Sequence, residues 1–251
     1  MRRLLLIVLS LCLLSSSPLL AGAEDSDVVR ESRVWDLNAE EKLYSQGHEE
    51  LIIRHFFGDR REGFFLDVGC FHWKWASTTN YLEQHLGWSG AGIDALASMK
   101  LGYDKHRKKT LFLNYLVSDE SGGTETLYVA GPLSSTDGDR IEAWGKEKKP
   151  VEVERITLND LLQKEGIDKI DFLSMDIEGG EAAALRGFDI ERFAPELVCI
   201  EISPPNREEV SKYFADHGYT LLEQYREYDP TNFYYARAGG GDRPETEPTA
   251  E

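Results

Sequence analysis

The sequence predicts an α/β fold: a mostly parallel sheet with helices on both faces and an antiparallel edge strand. Two observations support this prediction. Short apolar runs alternate along the chain with segments in which apolar residues recur at helical spacing, as in repeated strand–helix units. The runs at residues 64–66 and 170–175 are each followed by acidic residues and glycines. Because ligands bind at the carboxyl ends of the strands in such a sheet, these two positions are the first candidates for a functional site.

The beginning of the 251-residue chain has the pattern of an export signal. Residues 1–23 combine two arginines, an apolar block and the small residues Ala21-Gly22-Ala23, which predicts a signal peptide cleaved after Ala23. We therefore expect an exported protein that is secreted, periplasmic or located in an endomembrane lumen, with an uncleaved membrane anchor as the alternative. The apolar block is shorter than the roughly 20 residues that a membrane span needs, so no stable span is expected after cleavage.

The rest of the chain divides into an extension, one domain and a tail. Residues 24–47 form a polar, acidic extension with a few scattered apolar anchors. Residues 48–238 contain the periodic apolar pattern and have the size of a single domain. Residues 239–251 are acidic, contain glycine and proline, and lack large apolar side chains, which predicts a disordered tail.

Within the domain, the periodicity of the apolar residues distinguishes strands from helices. The predicted strands are residues 64–67, 91–93, 110–117, 124–130, 151–156, 170–175, 197–202, 219–223 and 232–236. The predicted helices are residues 49–57, 81–86, 158–165, 182–185 and 206–217. Thr157 and Gly166 are typical cap residues for the third helix, and residues 131–139 form a loop of glycine, serine and proline. The last two strands are predicted to pair antiparallel at the sheet edge.

The ends of the first two strands predict a nucleoside site. Asp67 and Gly69 follow the first strand, and Asp94 ends the second. A glycine lets a ligand approach the backbone closely, and a carboxylate accepts hydrogen bonds from ribose hydroxyls. The three-glycine phosphate loop of dinucleotide folds is absent, because Cys70-Phe71-His72 follows the first glycine. A nucleoside without phosphates, such as S-adenosylmethionine, is therefore the expected ligand.

Two further candidates each have a structural alternative. Ser118 and Asp119 end the third strand, where Asp119 could contact an adenine amino group or could instead start a turn into Gly122-Gly123. His72 follows the first strand among aromatic residues. A histidine there could act as a base, since its pKa lies near neutrality, or could simply pack against its aromatic neighbours.

The turn after the strand at residues 170–175 is unusually acidic. Asp176, Glu178 and Glu181 crowd one strand-to-helix junction, where like charges raise each other's pKa. Helix capping explains Glu181, because acidic residues are favourable in the first turn of a helix. Asp176 and Glu178 are better explained as functional groups on the crevice side. The sequence has no histidine and cysteine cluster at zinc spacing, so no metal ligand is assigned.

The net charge of the chain argues against one class of partner. The formal charge is −17, which repels phosphate backbones and makes nucleic acid an unexpected partner.

After removal of the leader, Cys70 and Cys199 are the remaining cysteines. In the predicted strand order they lie two strands apart, roughly 10 Å, which exceeds the Cα separation of a disulfide. We therefore expect both thiols to be reduced and buried.

Several blocks over residues 64–236 resemble, in the same order, the FkbM-type methyltransferase family. The blocks of the first half are Phe65-Leu66-Asp67-Val68-Gly69, Ser77-x-Thr79, Leu86-Gly87-Trp88-Ser89-Gly90 and Ile93-Asp94-Ala95. The blocks of the second half are Ile156-Thr157-Leu158-Asn159-Asp160-Leu161-Leu162, Ser174-Met175-Asp176-Ile177-Glu178-Gly179-x-Glu181 and Leu185-Arg186-Gly187-Phe188. The resemblance implies a class I methyltransferase (Rossmann-like) fold, S-adenosylmethionine as the cofactor, and O-methylation of a hydroxyl on a sugar or other small metabolite.

The resemblance also implies roles for individual residues. The implied cofactor-binding residues are Asp67, Gly69, Ser77, Thr79, Asp94, Ser118 and Asp119. Among them, Asp67 and Gly69 would line the methionine part, Asp94 the ribose and Asp119 the adenine. Asp176 and Glu178 would face the transfer site as base, substrate anchor or metal ligands, with His72 as a further candidate base. Many members have a histidine where this chain has Gly180, which removes one candidate base.

A noncatalytic binding module on the same fold is the alternative function. The predicted export favours this alternative, because S-adenosylmethionine is made in the cytoplasm. The acidic turn favours the enzyme, since a binding module does not need crowded carboxylates. We expect a small-molecule or glycan substrate. The sequence leaves open the methyl acceptor, the metal requirement and the oligomeric state.

Overall fold

The computed structural model describes residues 42–237. The predicted signal peptide, most of the predicted extension and the predicted tail lie outside the described residues. Between residues 42 and 237, none of the helices combines the length and the apolar character that crossing a membrane requires.

The described residues form ten strands and eight α-helices. The strands are β1 (Phe64–Val68), β2 (Ser89–Ile93), β3 (Thr110–Leu113), β4 (Leu116–Val117), β5 (Thr124–Tyr128), β6 (Pro150–Ile156), β7 (Phe172–Met175), β8 (Leu197–Glu201), β9 (Tyr219–Leu221) and β10 (Asn232–Arg237). The helices are α1 (Glu49–Phe57), α2 (Asn80–Leu86), α3 (Lys100–His106), α4 (Gly138–Ala143), α5 (Leu158–Glu165), α6 (Glu181–Arg186), α7 (Ile190–Phe193) and α8 (Arg207–Asp216). Three short 3₁₀ helices are Ala97–Met99, Pro204–Asn206 and Glu223–Tyr225.

Seven strands form the main sheet in the order β3-β2-β1-β7-β8-β10-β9. All neighbours from β3 to β8 pair parallel, whereas β10 pairs antiparallel with both β8 and β9. The predicted α/β fold with its mostly parallel sheet is therefore confirmed. The antiparallel strand lies one position in from the edge, so β9 forms the edge itself. A small second sheet has the order β4-β6-β5.

Side chains that alternate along the strands build a core on each face of the sheet. Leu66 and Val68 of β1 belong to one core cluster, which includes residues of α5, α6, α7 and α8. Phe65 points to the opposite face and packs in a second cluster with residues of α1 and α2. Because successive residues of a strand face opposite sides, Asp67 lies on the same face as Phe65.

The helix termini follow the predicted cap chemistry. The Thr157 hydroxyl accepts a hydrogen bond from the Asp160 N–H (3.1 Å), which satisfies one of the unpaired donors at the start of α5. Gly166 ends the same helix with φ of +68°, a left-handed conformation that suits glycine. The predicted bounds of α1 and α5 are confirmed.

One prediction between residues 110 and 143 was wrong, and one helix there was missed. The single strand predicted at residues 110–117 is two strands: β3 extends the main sheet, and β4 pairs with β6 in the small sheet. The chain leaves β3 at Asn114, whose side-chain amide donates to the Asp94 carbonyl oxygen (2.8 Å) instead of continuing the strand. Helix α4 was not predicted, although Asp137 caps it by accepting from the N–H groups of Asp139 and Arg140.

The two cysteines confirm the expected strand order. Strand β7 lies between β1 and β8, so Cys70 after β1 and Cys199 in β8 are separated by an intervening strand. Both cysteines are free and buried. The prediction that they are not joined by a disulfide is confirmed.

Candidate active site

Two adjoining cavities open at the carboxyl edge of the main sheet. The first lies over the ends of β1 and β2 and has apolar walls, including Ile93 and Leu127. The second has a volume of about 540 Å³ and lies over the ends of β1, β7 and β8. Gly69, Asp176 and Glu178 line both cavities. A volume of several hundred Å³ is typical of small-molecule sites, and the shared lining brings ligands in the two cavities next to each other.

Gly69 is required where the ends of β1 and β7 come together. Its φ is +86°, and a Cβ atom added there would lie 1.8 Å from the backbone oxygen of Asp176. Its N–H donates to the Ile93 carbonyl oxygen (2.9 Å), which ties the tip of β1 to β2. A side chain at residue 69 would be strained at this φ and would collide with the Asp176 backbone, so this position requires glycine.

Asp94 presents a buried carboxylate to the first cavity. One oxygen accepts from the Phe71 N–H (2.8 Å) and the other from the Leu96 N–H (2.7 Å). Burial raises the pKa of Asp94, and the two backbone hydrogen bonds partly offset this effect. An ionised carboxylate has about four acceptor positions, so two remain for other donors. Apolar walls beside a carboxylate with spare acceptors fit a nucleoside, with the base against the walls and the ribose hydroxyls on Asp94.

Asp67 lines the second cavity, and a buried hydrogen-bond network through Thr79 and Arg107 positions its carboxylate. The Thr79 hydroxyl donates to Asp67 Oδ2 (2.7 Å), and Arg107 donates in turn to Thr79 Oγ1 (3.2 Å). Thr79 is completely buried, so it positions Asp67 without reaching either cavity. Ser77 lines the second cavity and accepts from Arg107 (3.3 Å). Burial raises the pKa of Asp67 to about 6, although the Thr79 hydrogen bond and the Arg107 charge lower it.

Glu181 and Glu178 have different roles in the acidic turn. Glu181 Oε1 accepts from the N–H groups of Ile177 and Gly179, both at 3.1 Å, which is the capping role expected from its position. Glu178 has φ of +53°, a left-handed conformation that is uncommon for a residue with a side chain. Arg140 Nη2 donates to Glu178 Oε2 (3.1 Å). Burial and the charges of Glu201 and Glu181 raise the pKa of Glu178 to about 7, while Arg140 lowers it.

Asp176, Glu178 and Glu201 form a carboxylate cluster between the two cavities. One carboxylate oxygen from each of the three residues lies within 4.8 Å of the others. The Asp176 side chain is exposed to the cavity, but protein atoms surround its carboxyl group. This burial, followed by the adjacent Glu201 carboxyl, raises the pKa of Asp176 well above the ordinary value. The three oxygens could also hold a divalent cation.

Sequence reasoning did not assign roles to Glu201 and Arg140. Glu201 ends β8 and was the single acid in an apolar run, which is the signal that could have identified it. Arg140 lies on α4 and bridges Glu178 and the Ser203 hydroxyl (2.8 Å). No sequence pattern places an arginine of a surface helix opposite the acidic turn.

The family model of the methyltransferase FkbM domain matches residues 55–228. The chain belongs to the FkbM methyltransferase family. The family expected from the sequence blocks is therefore confirmed, and with it a methyltransferase that depends on S-adenosylmethionine. The assignment favours the enzyme over the noncatalytic binding module. A search of curated proteins found no match.

Solved structures similar to this FkbM methyltransferase include two bacterial proteins. A TehB-like SAM-dependent methyltransferase from Corynebacterium glutamicum is 13% identical, with 85% of this chain and 97% of that chain covered at a TM-score of 0.42. A SAM-dependent methyltransferase from Aquifex aeolicus is 17% identical, with 82% of this chain and 96% of that chain covered at a TM-score of 0.42.

Three of the residues expected at the methyltransferase site line neither cavity: Thr79, which supports Asp67 from the core, Asp119 and His72. Asp119 is exposed and forms an ion pair with Arg186 (3.0 Å), and this arginine lowers the pKa of Asp119. Because Asp119 lies outside the cavities, it does not fit the expected adenine contact. Its neighbour Ser118 does line the first cavity. The His72 ring Nδ1 accepts from the N–H groups of Lys74 and Trp75 within its own loop, so this histidine does not fit the role of base.

Proposed function

We propose that this methyltransferase transfers a methyl group from S-adenosylmethionine to a hydroxyl oxygen of a sugar or another small metabolite. The observation that supports the proposal is the position of Glu178. This carboxylate lies where the two cavities meet, and its pKa of about 7 suits a general base at neutral pH. The first cavity would hold the adenosine part of the cofactor, and the methionine part would pass Gly69 towards Asp67. The acceptor would lie in the rest of the second cavity, beside Glu178.

The residues of the first cavity suit S-adenosylmethionine. When bound, the cofactor supplies an electrophilic methyl group on a sulfonium centre. Asp94 would accept hydrogen bonds from the ribose hydroxyls, and the apolar walls at Ile93 and Leu127 would hold the adenine. Ser118 offers a hydroxyl at the same wall. Gly69 lets the methionine part pass close to the backbone, because any side chain there would collide with the turn.

In the proposed reaction, Glu178 takes the proton of the acceptor hydroxyl. A neutral hydroxyl is a weak nucleophile, and a positioned base typically contributes roughly 10²–10⁴-fold to the rate. Arg140 fixes the orientation of the Glu178 carboxylate and keeps its pKa from rising further. Asp176, in its protonated form, can donate a hydrogen bond to the acceptor. Holding the hydroxyl next to the methyl group supplies much of the remaining acceleration.

The test is product analysis with the purified protein. S-adenosylmethionine is incubated with a panel of sugars and hydroxylated metabolites, release of S-adenosylhomocysteine is measured, and the methylated atom is located by NMR. We expect methylation on oxygen that is lost in Glu178→Gln and kept in the control Glu208→Gln, because Glu208 is exposed on α8. Methylation on nitrogen or carbon, or full activity of Glu178→Gln, would refute the proposal. A parallel reaction with EDTA shows whether the carboxylate cluster needs a metal ion.

A further inference from the structure

We infer that neutral His72 is a positioning residue for the cofactor. Its ring nitrogen Nδ1 holds the His72 loop (residues 71–76) in the conformation that binds S-adenosylmethionine. Protonation of His72 in acid should therefore weaken cofactor binding. The inference concerns the cofactor and not the acceptor, so it does not depend on which atom receives the methyl group.

The His72 loop follows β1 and reaches both cavities. Phe71 lines the first and the second cavity, and Trp75 lines the second. The Phe71 N–H also donates to Asp94 Oδ2 (2.8 Å), so the loop helps to orient the carboxylate that suits the ribose. A change in the conformation of this loop would therefore alter the surroundings of the cofactor at several points.

Strained residues at both ends show that the loop needs contacts to keep its conformation. Phe71 has φ of +39° and Ala76 has φ of +54°. Residues other than glycine rarely adopt the left-handed region, and they keep it only where the surrounding structure holds them. The hydrogen bonds within the loop therefore matter more than they would in a relaxed turn.

His72 supplies two of these hydrogen bonds through one atom. Its Nδ1 accepts from the N–H groups of Lys74 (3.1 Å) and Trp75 (2.9 Å). A ring nitrogen accepts only when it carries no proton, so the neutral ring has its proton on Nε2. In the imidazolium form both ring nitrogens are donors, and the proton on Nδ1 would meet two backbone N–H groups. Protonation of His72 therefore breaks both hydrogen bonds.

The groups packed against the loop favour the neutral form of His72. The Trp73 ring stacks on His106 of α3, with the ring centroids 3.9 Å apart, and its centroid lies 5.5 Å from that of His72. Burial and then the charge of His106 lower the pKa of His72 below its ordinary value. The titratable and charged side chains at the loop are His106 and Arg107 at the end of α3, Asp94 after β2, and Lys74 within the loop.

The sign of the pH effect follows from linkage. Because the neutral ring holds the binding conformation, cofactor affinity is fully present at neutral pH and is lost as the pH falls through the pKa of His72. The coupling is reciprocal, so bound cofactor must lower the pKa of His72 further. Loss of two hydrogen bonds corresponds to roughly a tenfold change in affinity.

NMR of the histidine ring nitrogens in the wild type measures this linkage directly. His72 is titrated from pH 7.5 to pH 5.0 with and without saturating S-adenosylhomocysteine. We expect the Nε2–H tautomer at pH 7.5 and a lower pKa of His72 in the complex than in the free protein. A proton on Nδ1 of the neutral ring, a pKa that is equal or higher in the complex, or no binding of S-adenosylhomocysteine would overturn the inference.

Calorimetric titration with S-adenosylhomocysteine at pH 7.5 and pH 5.0 compares two substitutions. His72→Asn places an oxygen acceptor where Nδ1 lies and does not titrate, whereas His72→Phe keeps a ring without an acceptor. At pH 7.5, His72→Asn should bind like the wild type and His72→Phe roughly tenfold more weakly. At pH 5.0, the wild type should bind roughly five- to tenfold more weakly than His72→Asn.

The asparagine variant also accounts for other groups that titrate in acid. Asp67 and Asp94, whose pKa values are raised by burial, are present in the wild type and in both variants. His217→Asn, outside both cavities, should bind like the wild type at both pH values. Wild-type affinity of His72→Phe at pH 7.5, or equal losses in acid for the wild type and His72→Asn, would overturn the inference. Should His72→Phe not fold, the comparison of the wild type with His72→Asn decides alone.

Discussion

Replacing Asp67 with asparagine is expected to stabilise the fold and weaken the site at the same time. The Asp67 carboxylate is 5% exposed, and burial raises its pKa from the ordinary 3.8 to about 6. A carboxyl group whose pKa is higher in the folded state binds protons more tightly there than in the unfolded chain. Stability is therefore lost as the pH rises from about 4 through 6, and the full cost is present at pH 7.

The size of the effect follows from the pKa difference. At about 1.36 kcal/mol per pKa unit, the rise from 3.8 to about 6 corresponds to about 3 kcal/mol. The asparagine side chain would not carry the charge, and its oxygen could still accept the hydrogen bond from Thr79. For a domain of this size, about 3 kcal/mol corresponds to a melting temperature higher by roughly 6–12 °C at pH 7. Near pH 3.5 the difference should almost vanish.

Urea unfolding followed by circular dichroism at pH 3.5 and pH 7 measures this difference. The control is Asp168→Asn, since the Asp168 side chain is 88% exposed and its substitution should change the free energy of unfolding by less than about 0.5 kcal/mol. A variant Asp67→Asn that is less stable than the wild type at pH 7, or equally more stable at both pH values, would refute the reasoning.

Three further substitutions test the site and its supports. In Glu178→Gln we expect kcat/KM to fall by roughly 10²–10⁴-fold. In the wild type, kcat/KM should rise with pH up to about 7, because Glu178 must be ionised to act as a base. The same pH profile in Glu178→Gln would contradict the role of Glu178 as the base. Gly69→Ala places a Cβ 1.8 Å from a backbone oxygen and should abolish cofactor binding. Gly145→Ala is the control, because Gly145 is also left-handed, has nothing within 4 Å of its added Cβ and lines neither cavity, so calorimetry should show unchanged cofactor binding. Arg107→Met removes the buried cation whose Nε lies 2.7 Å from Glu83 Oε2. Urea unfolding should then show a free energy of unfolding lower by roughly 3–5 kcal/mol. An unchanged free energy of unfolding would mean that Glu83 is not charged in the fold.

Local sequence patterns predicted the parts of the site that lie at strand tips. Gly69 and Asp94 each follow an apolar run. The alternation of strands and helices makes these runs parallel strands of one sheet, so the two residues could be predicted to lie at the same edge. The capping role of Glu181 was predictable because it depends on residues within one turn.

The remaining features depend on contacts between distant segments. Whether Asp119 faces the cavity is decided by Arg186, which lies 67 residues further along the chain. The position of Arg140 opposite Glu178 depends on where α4 packs, and no periodicity encodes that. The break between β3 and β4 follows from the hydrogen bond of Asn114 to Asp94, which an alternating apolar pattern does not reveal.

Calorimetric titration with S-adenosylmethionine tests most directly whether the first cavity holds the cofactor. We predict that the wild type binds the cofactor and that Asp94→Asn binds it roughly 10- to 100-fold more weakly, because hydrogen bonds to a charged group are lost. Asp119→Asn, outside both cavities, should bind like the wild type. No binding by the wild type, or equal binding by Asp94→Asn, would contradict the assignment.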